Sequence, residues 1–446
     1  MMFLHGDQMS ASSPPVQDFT EVQAESLPPT PGIQFWRKRD FWYAEFAALV
    51  ARVLFLAATA GMTRSIDLYS WQKVVNTLNA GANPYAATTV LNWPPLWMQI
   101  VFLLGKVAVI TRLPFMICVQ SFLIVVDLAL IAALYKFLQI LAPKKPAGQV
   151  VLWAISLNPV CILLTCQHGN FDGLLALAVV LSLIAVAGYL NSGDPVDWLT
   201  ACLLLGLAIL LKTAPLVLVP LLFVEAGGLR LLTKALGSAL TIGPVALGMS
   251  IIYVLAPSGV SRNVLAYRSI AGYFGITGLL GLADLPLLSL LYSQALPLLL
   301  LVSLIWLTVD IRKFRPRSPQ FIAVFAAGVM LAIPLFGPGY GPQYLFWSIP
   351  LIAAVYHMTS DVAARRVILM SYAVAALTYI VEYSLFRSHG ALAVQIWPRS
   401  PLLTSVAMRI STSGGQTLVR LPLFVALCAV FSRIVREGKG LLSAAS

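Results

Sequence analysis

Charge is what this sequence has least of. Lys, Arg, Asp and Glu make up 10% of its 446 residues, against about 25% in a soluble domain. That scarcity excludes an ordinary water-soluble globular chain. Cysteine is also thin: Cys118, Cys161, Cys166, Cys202 and Cys428 are scattered and lie mostly inside apolar runs. Their spacing fits neither a disulfide framework nor a metal site. The alternating pattern of an outer-membrane barrel is absent, and so are an internal repeat and a stretch with the composition of a soluble domain.

What is present is apolar. Hydrophobic residues account for 59% of the chain and the mean hydropathy is +0.87. Repeated runs of roughly 18 residues or more each suffice to cross a bilayer as a helix. The expected fold is therefore an all-α polytopic membrane protein. A net charge of +12 would suit nucleic acid in a soluble protein. Here it reads as the Lys and Arg bias of cytoplasmic loops, and no nucleic acid partner is expected. Residues 1–34, with "SSPPVQ" and "SLPPTPG", read as a disordered tail without the apolar centre of a cleavable signal.

Basic residues set the threading. "FWRKRD" (35–40) precedes the first span, 41–62, and places the N-terminus in the cytoplasm. The next apolar stretch, "WPPLWMQIVFLLGKVAVI" (93–110), would invert every later loop if it crossed. Pro94 and Pro95 at its start, Trp93 and Trp97, and Lys106 and Arg112 near its end suit a helix lying in the outer interface. Further spans then fall at 113–140, 148–166, 171–190, 197–212, 213–227, 235–256, 286–309, 319–336, 343–358, 367–386 and 417–434. That makes about 12 crossings with both termini inside, and it puts 17 of the 29 Lys and Arg in or beside cytoplasmic segments. The expected organisation is a cytoplasmic tail (1–40), a membrane core (41–358) and C-terminal transmembrane helices (359–446).

This threading gathers polar clusters on the non-cytoplasmic face. They are Asp67 in "RSIDLYSWQ", "CQHGNFDG" (166–173), Lys212 in "LKTAP", and "FGPGYGPQY" (336–344), with Arg268 in "AYRSIAGYFG" nearby. An aspartate held at an interface can take a proton from a hydroxyl; in isolation it is a solvated loop residue. Lys212 is a point charge suited to phosphate, or a side chain snorkelling to the headgroups. His168 could donate to a phosphate or serve a structural hydrogen bond. Gln167, Asn170 and Asp172 could bind sugar hydroxyls, although Asp172 could equally cap the helix that follows. Tyr340, Gln343 and Tyr344 sit among three glycines and two prolines, which suits a rigid loop in close backbone approach to a ligand. Asp127, Glu382, Glu45 and Arg52 fall inside spans and read as helix-helix contacts. No nucleotide-binding Gly-rich loop is present.

In order and spacing, "SIDLYSWQKVV…GANPY…NWPPL", "VDLALIAALYKFL", "NPV…QHGNFDG", "LKTAPLVLVPL" and "GPGYGPQYLFW" resemble the membrane-embedded GT-C glycosyltransferases. The likeness is to the bacterial polyprenol-phosphate-sugar-dependent family 87 and to the glycosylphosphatidylinositol first mannosyltransferase, and it covers roughly residues 40–350. The resemblance implies a GT-C-like bundle that moves a hexose, mannose or glucose, from a polyprenyl-phosphate carrier to a lipid-linked or glycan acceptor. It implies Asp67 as catalytic base, and Lys212, His168 and Arg268 at the donor phosphate. Gln167, Asn170, Asp172, Tyr340, Gln343 and Tyr344 would contact sugar or acceptor. The relatives' first loop often carries Asp-x-Asp; Ser65 stands at the earlier position here. No metal or other cofactor is therefore expected. The absence of an Asn-x-Ser/Thr sequon leans toward a bacterial plasma membrane over the endoplasmic reticulum. Two other classes remain open at this stage. One is a lipid or solute transporter, which should show repeats and broken helices at the midplane. The other is an O-antigen ligase or polymerase with arginines in a large outer loop, such as Arg387, Arg399 and Arg409.

Overall fold

Apolar runs bounded by Pro, Gly and Asn become helices in the computed structural model, which describes residues 37–267, 274–314, 318–339, 341–385, 392–410 and 413–443. The long or apolar helices are α1 (Arg39–Ala58), α2 (Ile66–Asn79), α3 (Pro95–Thr111), α4 (Phe115–Leu141), the pair α5 (Gly148–Ser156) and α6 (Pro159–His168), α7 (Asp172–Ser192) and α8 (Pro195–Leu211). They continue as α9 (Leu231–Leu255), α10 (Pro286–Phe314), α11 (Pro319–Phe336), α12 (Ile349–Met358), α13 (Val362–Leu385) and α14 (Ser413–Ser443). Among the described residues there is no strand. The protein is an all-α, polytopic membrane protein, and its described residues form one compact unit.

A helix stands at every expected span, but the spans are not equal. Among the described residues six helices are long and apolar enough to cross a membrane, or seven if α5 and α6 count as one. The stretch expected at 213–227 is broken by Pro215 and Pro220 into a 3-10 segment, Ala214–Leu218, and a helix of 7 residues, Val219–Glu225. The one expected at 343–358 starts as a 3-10 segment, Pro342–Trp347, so its α-helix has only 10 residues. In both, prolines remove backbone donors and shorten the regular run.

α5 and α6 meet at an angle of 46°. Pro159 has no N–H to continue the ladder. Asn158 closes the break from both sides, donating to the Ala154 carbonyl at 3.0 Å and accepting from the Val160 N–H at 2.9 Å. Arg52, fully buried on α1, covers the carbonyls left open, reaching Ser156 O at 2.9 Å and Ile155 O at 3.3 Å. Its charge is met by Asp127 on α4 at 2.7 Å, and the Thr165 hydroxyl donates to the same carboxylate oxygen at 2.6 Å. A buried guanidinium is costly unless both its charge and its donors are matched, and here both are. Glu382 of α13 and Arg420 of α14 form a second such pair, with one contact at 2.9 Å. The intramembrane charges Arg52, Asp127 and Glu382 are helix-helix contacts, as the sequence suggested.

The bundle has two distinct ends. At one, Asp40 at the start of α1 accepts from the Tyr135 hydroxyl near the end of α4 (2.9 Å) and from the Gly148 N–H (3.1 Å). Lys145 donates to the carbonyls of His357 and Met358 at 3.1 and 2.8 Å, Gln320 to that of Leu141 at 2.9 Å, and Thr359 to Glu437. These are the segments that the basic residues assign to one membrane face. α1 ends at the opposite end, and α4 starts there, because Gln120 in its second turn donates to the Cys166 carbonyl at the close of α6. The intervening residues 59–114, with α2 and α3, therefore leave and return to the same end. α3 makes no net crossing, which is what the threading requires.

Candidate functional site

The end where α1 stops collects the polar clusters of the sequence. α2 starts just after it. Ser65 occupies its N-cap position but makes no cap; its hydroxyl donates instead to the His168 carbonyl at 2.6 Å. The Trp71 indole donates to the next carbonyl, Gly169 O, at 2.9 Å. Gly169 is left-handed, at φ +65°, and a Cβ there would come within 2.3 Å of the Leu68 side chain. Glycine thus lets α2 lie directly on the "QHGN" turn. Trp71, Trp93, Trp97 and Phe171 pack around this junction, with Trp97 stacked on Phe171 at 4.6 Å.

The junction delivers Asp67 to His168 and Asn170. Asp67 Oδ2 accepts from Asn170 Nδ2 at 2.7 Å and lies 3.0 Å from His168 Nε2. The other face of the His168 ring meets Tyr383 of α13 through Nδ1. The Asp67 side chain keeps 17% of its surface, against 4% for His168. Burial alone would push the Asp67 carboxyl up, but His168, then Asn170 and Lys212, hold it below the usual carboxylate range. It is therefore ionised at neutral pH.

Lys212 is neither in water nor at a headgroup. It ends α8 just before Pro215, is 5% exposed, and binds Asp172 Oδ1 at 2.8 Å. Four rings surround its ammonium: Tyr344 at 4.6 Å, Trp347 at 4.9 Å, Phe171 at 5.3 Å and Trp93 at 6.0 Å from their centroids. Each offers a negative face to the cation. Asp172 is not the cap of α7. Asn170 does that work, accepting from the Asp172 N–H at 3.0 Å, which frees the Asp172 carboxylate for Lys212.

Of the remaining expected residues, Gln167 is fully buried and its amide is taken up by the α1–α2 linker. It donates to Thr63 O at 3.0 Å and accepts from Arg64 at 3.2 Å. Tyr344 stacks on Trp347 at 4.2 Å beside Lys212, and its hydroxyl lies 3.4 Å from that of Tyr267. Gln343 is half-buried and folds back over Gly341, where a Cβ would meet its Oε1 at 2.3 Å. Tyr340 and Arg268 lie outside the described residues, as does Arg387. The structure adds members that the sequence did not single out, Tyr383, Trp347 and Arg64, and brings in Trp93, read only as an interfacial anchor, and Tyr267 of the outer segment that carries Arg268. Arg64 had a signal, being a positive residue on the face where such residues are uncommon. Tyr383 had none, since it is one tyrosine in an apolar helix. Among the described residues no group of three or more His, Cys, Asp or Glu gathers as a metal site.

No protein-family model matches the chain, and no curated protein matches it in sequence. Among solved structures it is similar to ArnT from Cupriavidus metallidurans bound to undecaprenyl phosphate, at 15% identity and a TM-score of 0.46, over 89% of this chain and 78% of that one. The apo state of the same protein gives 16%, 0.46, 88% and 77%. Likeness at this level decides neither family nor substrate.

Proposed function

We propose that the protein is a membrane glycosyltransferase. It moves a sugar, a hexose such as mannose or glucose, from a polyprenyl-phosphate carrier to a lipid-linked or glycan acceptor on the non-cytoplasmic face. The observation that carries this reading is the state of Asp67. Its two hydrogen bonds both fall on Oδ2. Oδ1 makes none among the described residues, on a side chain that retains solvent access. An ionised carboxylate with one oxygen anchored and one open is arranged to receive a proton. Asp172 is on the same face but is committed to Lys212.

In the reaction, Asp67 Oδ1 takes the proton of the acceptor hydroxyl. The hydroxyl oxygen bonds to the anomeric carbon as the bond from that carbon to the phosphate oxygen breaks. The phosphate leaves with the electron pair on the opposite side, which inverts the anomeric centre. The departing charge needs a preorganised cation. Lys212 has three N–H donors, one of them on Asp172, and the others remain for phosphate at the Tyr344 side. The carrier's tail stays in lipid, in keeping with a site at one end of an apolar bundle. The reading places the chain in a bacterial plasma membrane, with both termini in the cytoplasm.

The test is turnover in proteoliposomes supplied with polyprenyl-phosphate-mannose or polyprenyl-phosphate-glucose. Release of polyprenyl phosphate, abolished by Asp67→Asn, is the expected result. Solute or lipid movement without donor cleavage would make it a transporter. Turnover only with a pyrophosphate-linked donor would make it a ligase or polymerase.

A further inference from the structure

Asp67 does not stand alone. It is the exposed end of a row of three side chains drawn from three separate parts of the chain: Asp67 on α2, His168 at the end of α6 and Tyr383 on α13. His168 and Tyr383 are 3% and 0% exposed. Because an ionised carboxylate only accepts, His168 Nε2 carries a proton toward Asp67, and Nδ1 meets the Tyr383 hydroxyl on the other side of the ring. Both nitrogens of His168 are thus engaged, and the ring has no edge left for a phosphate. The ring is also held along its backbone, since its carbonyl accepts from Ser65 one residue before α2.

We propose that His168 and Tyr383 are positioning residues for the base: Tyr383 fixes the tilt of the His168 ring, and His168 fixes and polarises Asp67 so that Oδ1 faces the acceptor hydroxyl. This inference rests on the reading of Asp67 as base. It moves His168 from the donor phosphate, where the resemblance placed it, to the acceptor side of the reaction. It also gives α13, beyond the part of the chain that carries the resemblance, a direct part in the chemistry. No covalent step is added. The proton from the acceptor ends on Asp67 Oδ1, and the His168 and Tyr383 protons stay on their own atoms.

The arrangement has a signature in pH. Asp67 is faced by His168 and Asn170, by Lys212 and by the Tyr267 hydroxyl. His168 is faced by Asp67, Tyr383 and the more distant Asp172. Asp67 must be ionised to act, so activity falls as pH drops through its folded-state value. His168 is the foremost of the groups that hold that value down against burial. Removing it raises the value and moves the acid limb of the profile to higher pH.

The experiment measures kcat and donor KM against pH for the full chain in proteoliposomes, as wild type, His168→Gln, Tyr383→Phe and Asp67→Asn. His168→Gln should lower kcat about 10- to 100-fold, the range of a lost charge-assisted hydrogen bond. Its acid limb should move to higher pH, with donor KM close to wild type. Tyr383→Phe removes a single oxygen from a packed ring and keeps the fold testable if His168→Gln does not. It should shift the limb in the same direction by less. A loss confined to donor KM, with both limbs unmoved, would return His168 to the phosphate and overturn the inference. So would a loss that follows only the folded fraction. Asp67→Asn separates the two levels: inactive Asp67→Asn with unmoved limbs sinks the positioning role alone, whereas active Asp67→Asn sinks the base reading itself.

Discussion

The two ends of the bundle handle polar groups differently. At the Asp40 end, side chains bind mostly backbone: Asp40 takes an N–H, Lys145 two carbonyls and Gln320 one. Such bonds close helix ends that would otherwise lack partners. The Asp67 end has such stitches too, from Ser65, Trp71 and Gln167 to carbonyls, but there buried charged and titratable side chains also bind one another: Asp67 with His168 and Asn170, His168 with Tyr383, Lys212 with Asp172. Contacts of the first kind stitch. Those of the second kind tune charge, which a stitched helix end does not need. The difference separates scaffold from site without appeal to any relative.

The largest test of this contrast is all-or-none. If the ends face opposite compartments, a cysteine at position 144 is labelled only from the cytoplasmic side and one at position 73 only from the other. The half-buried native Cys428 is replaced by Ser for the assay. Labelling of both from one side would dissolve the comparison, and with it the threading.

Next comes Asp67→Asn, which should fold and bind donor but lose turnover by about 10²–10⁴-fold, read as polyprenyl phosphate released. Turnover near wild type would mean that the site end contains no general base at this position.

Lys212→Ala comes third. It leaves the Asp172 carboxylate buried without its partner, which costs about 3–5 kcal/mol in comparable pairs. Denaturation in detergent should show that loss. The double variant Lys212→Met with Asp172→Asn should recover most of the stability but not the donor turnover. Recovery of both would reduce the pair to packing.

The smallest effect is at the other end. Lys145→Ala removes two hydrogen bonds to carbonyls at an exposed position. It should cost about 0.5–1.5 kcal/mol of stability and leave kcat and KM unchanged. A change in kcat would show that the two ends are coupled, and the division drawn above would have to be redrawn.

Much of this was legible in the sequence, and the reasons are physical. Hydropathy located the helices because burial in lipid demands long apolar runs, and the Lys and Arg distribution foresaw which loops share an end. It overreached at 213–227 and 343–358, where prolines shorten regular helix that composition alone counts as apolar. Asp67, His168, Asn170, Asp172 and Lys212 were singled out because polar residues at a span edge are conspicuous. Their pairing was not legible. Asp172 was read as a sugar ligand or a cap, yet its carboxylate pairs with Lys212, and Asn170, two residues earlier, accepts from its N–H. Tyr383 stayed hidden because a tyrosine in an apolar helix looks like any other until a histidine from 215 positions away meets it.

The return of residues 59–114 to the end they left has a consequence for parity. Helices that cross flip the side of everything after them; an excursion that starts and finishes on one face does not. α2 and α3 form a detour whose length and composition are free to change without reversing any later loop. The detour carries Asp67, so the proposed base sits on a stretch where variation leaves the insertion of the rest untouched. A chimera that exchanges 60–113 for another sequence of equal end-to-end reach should therefore insert with the same orientation and differ only in what it does.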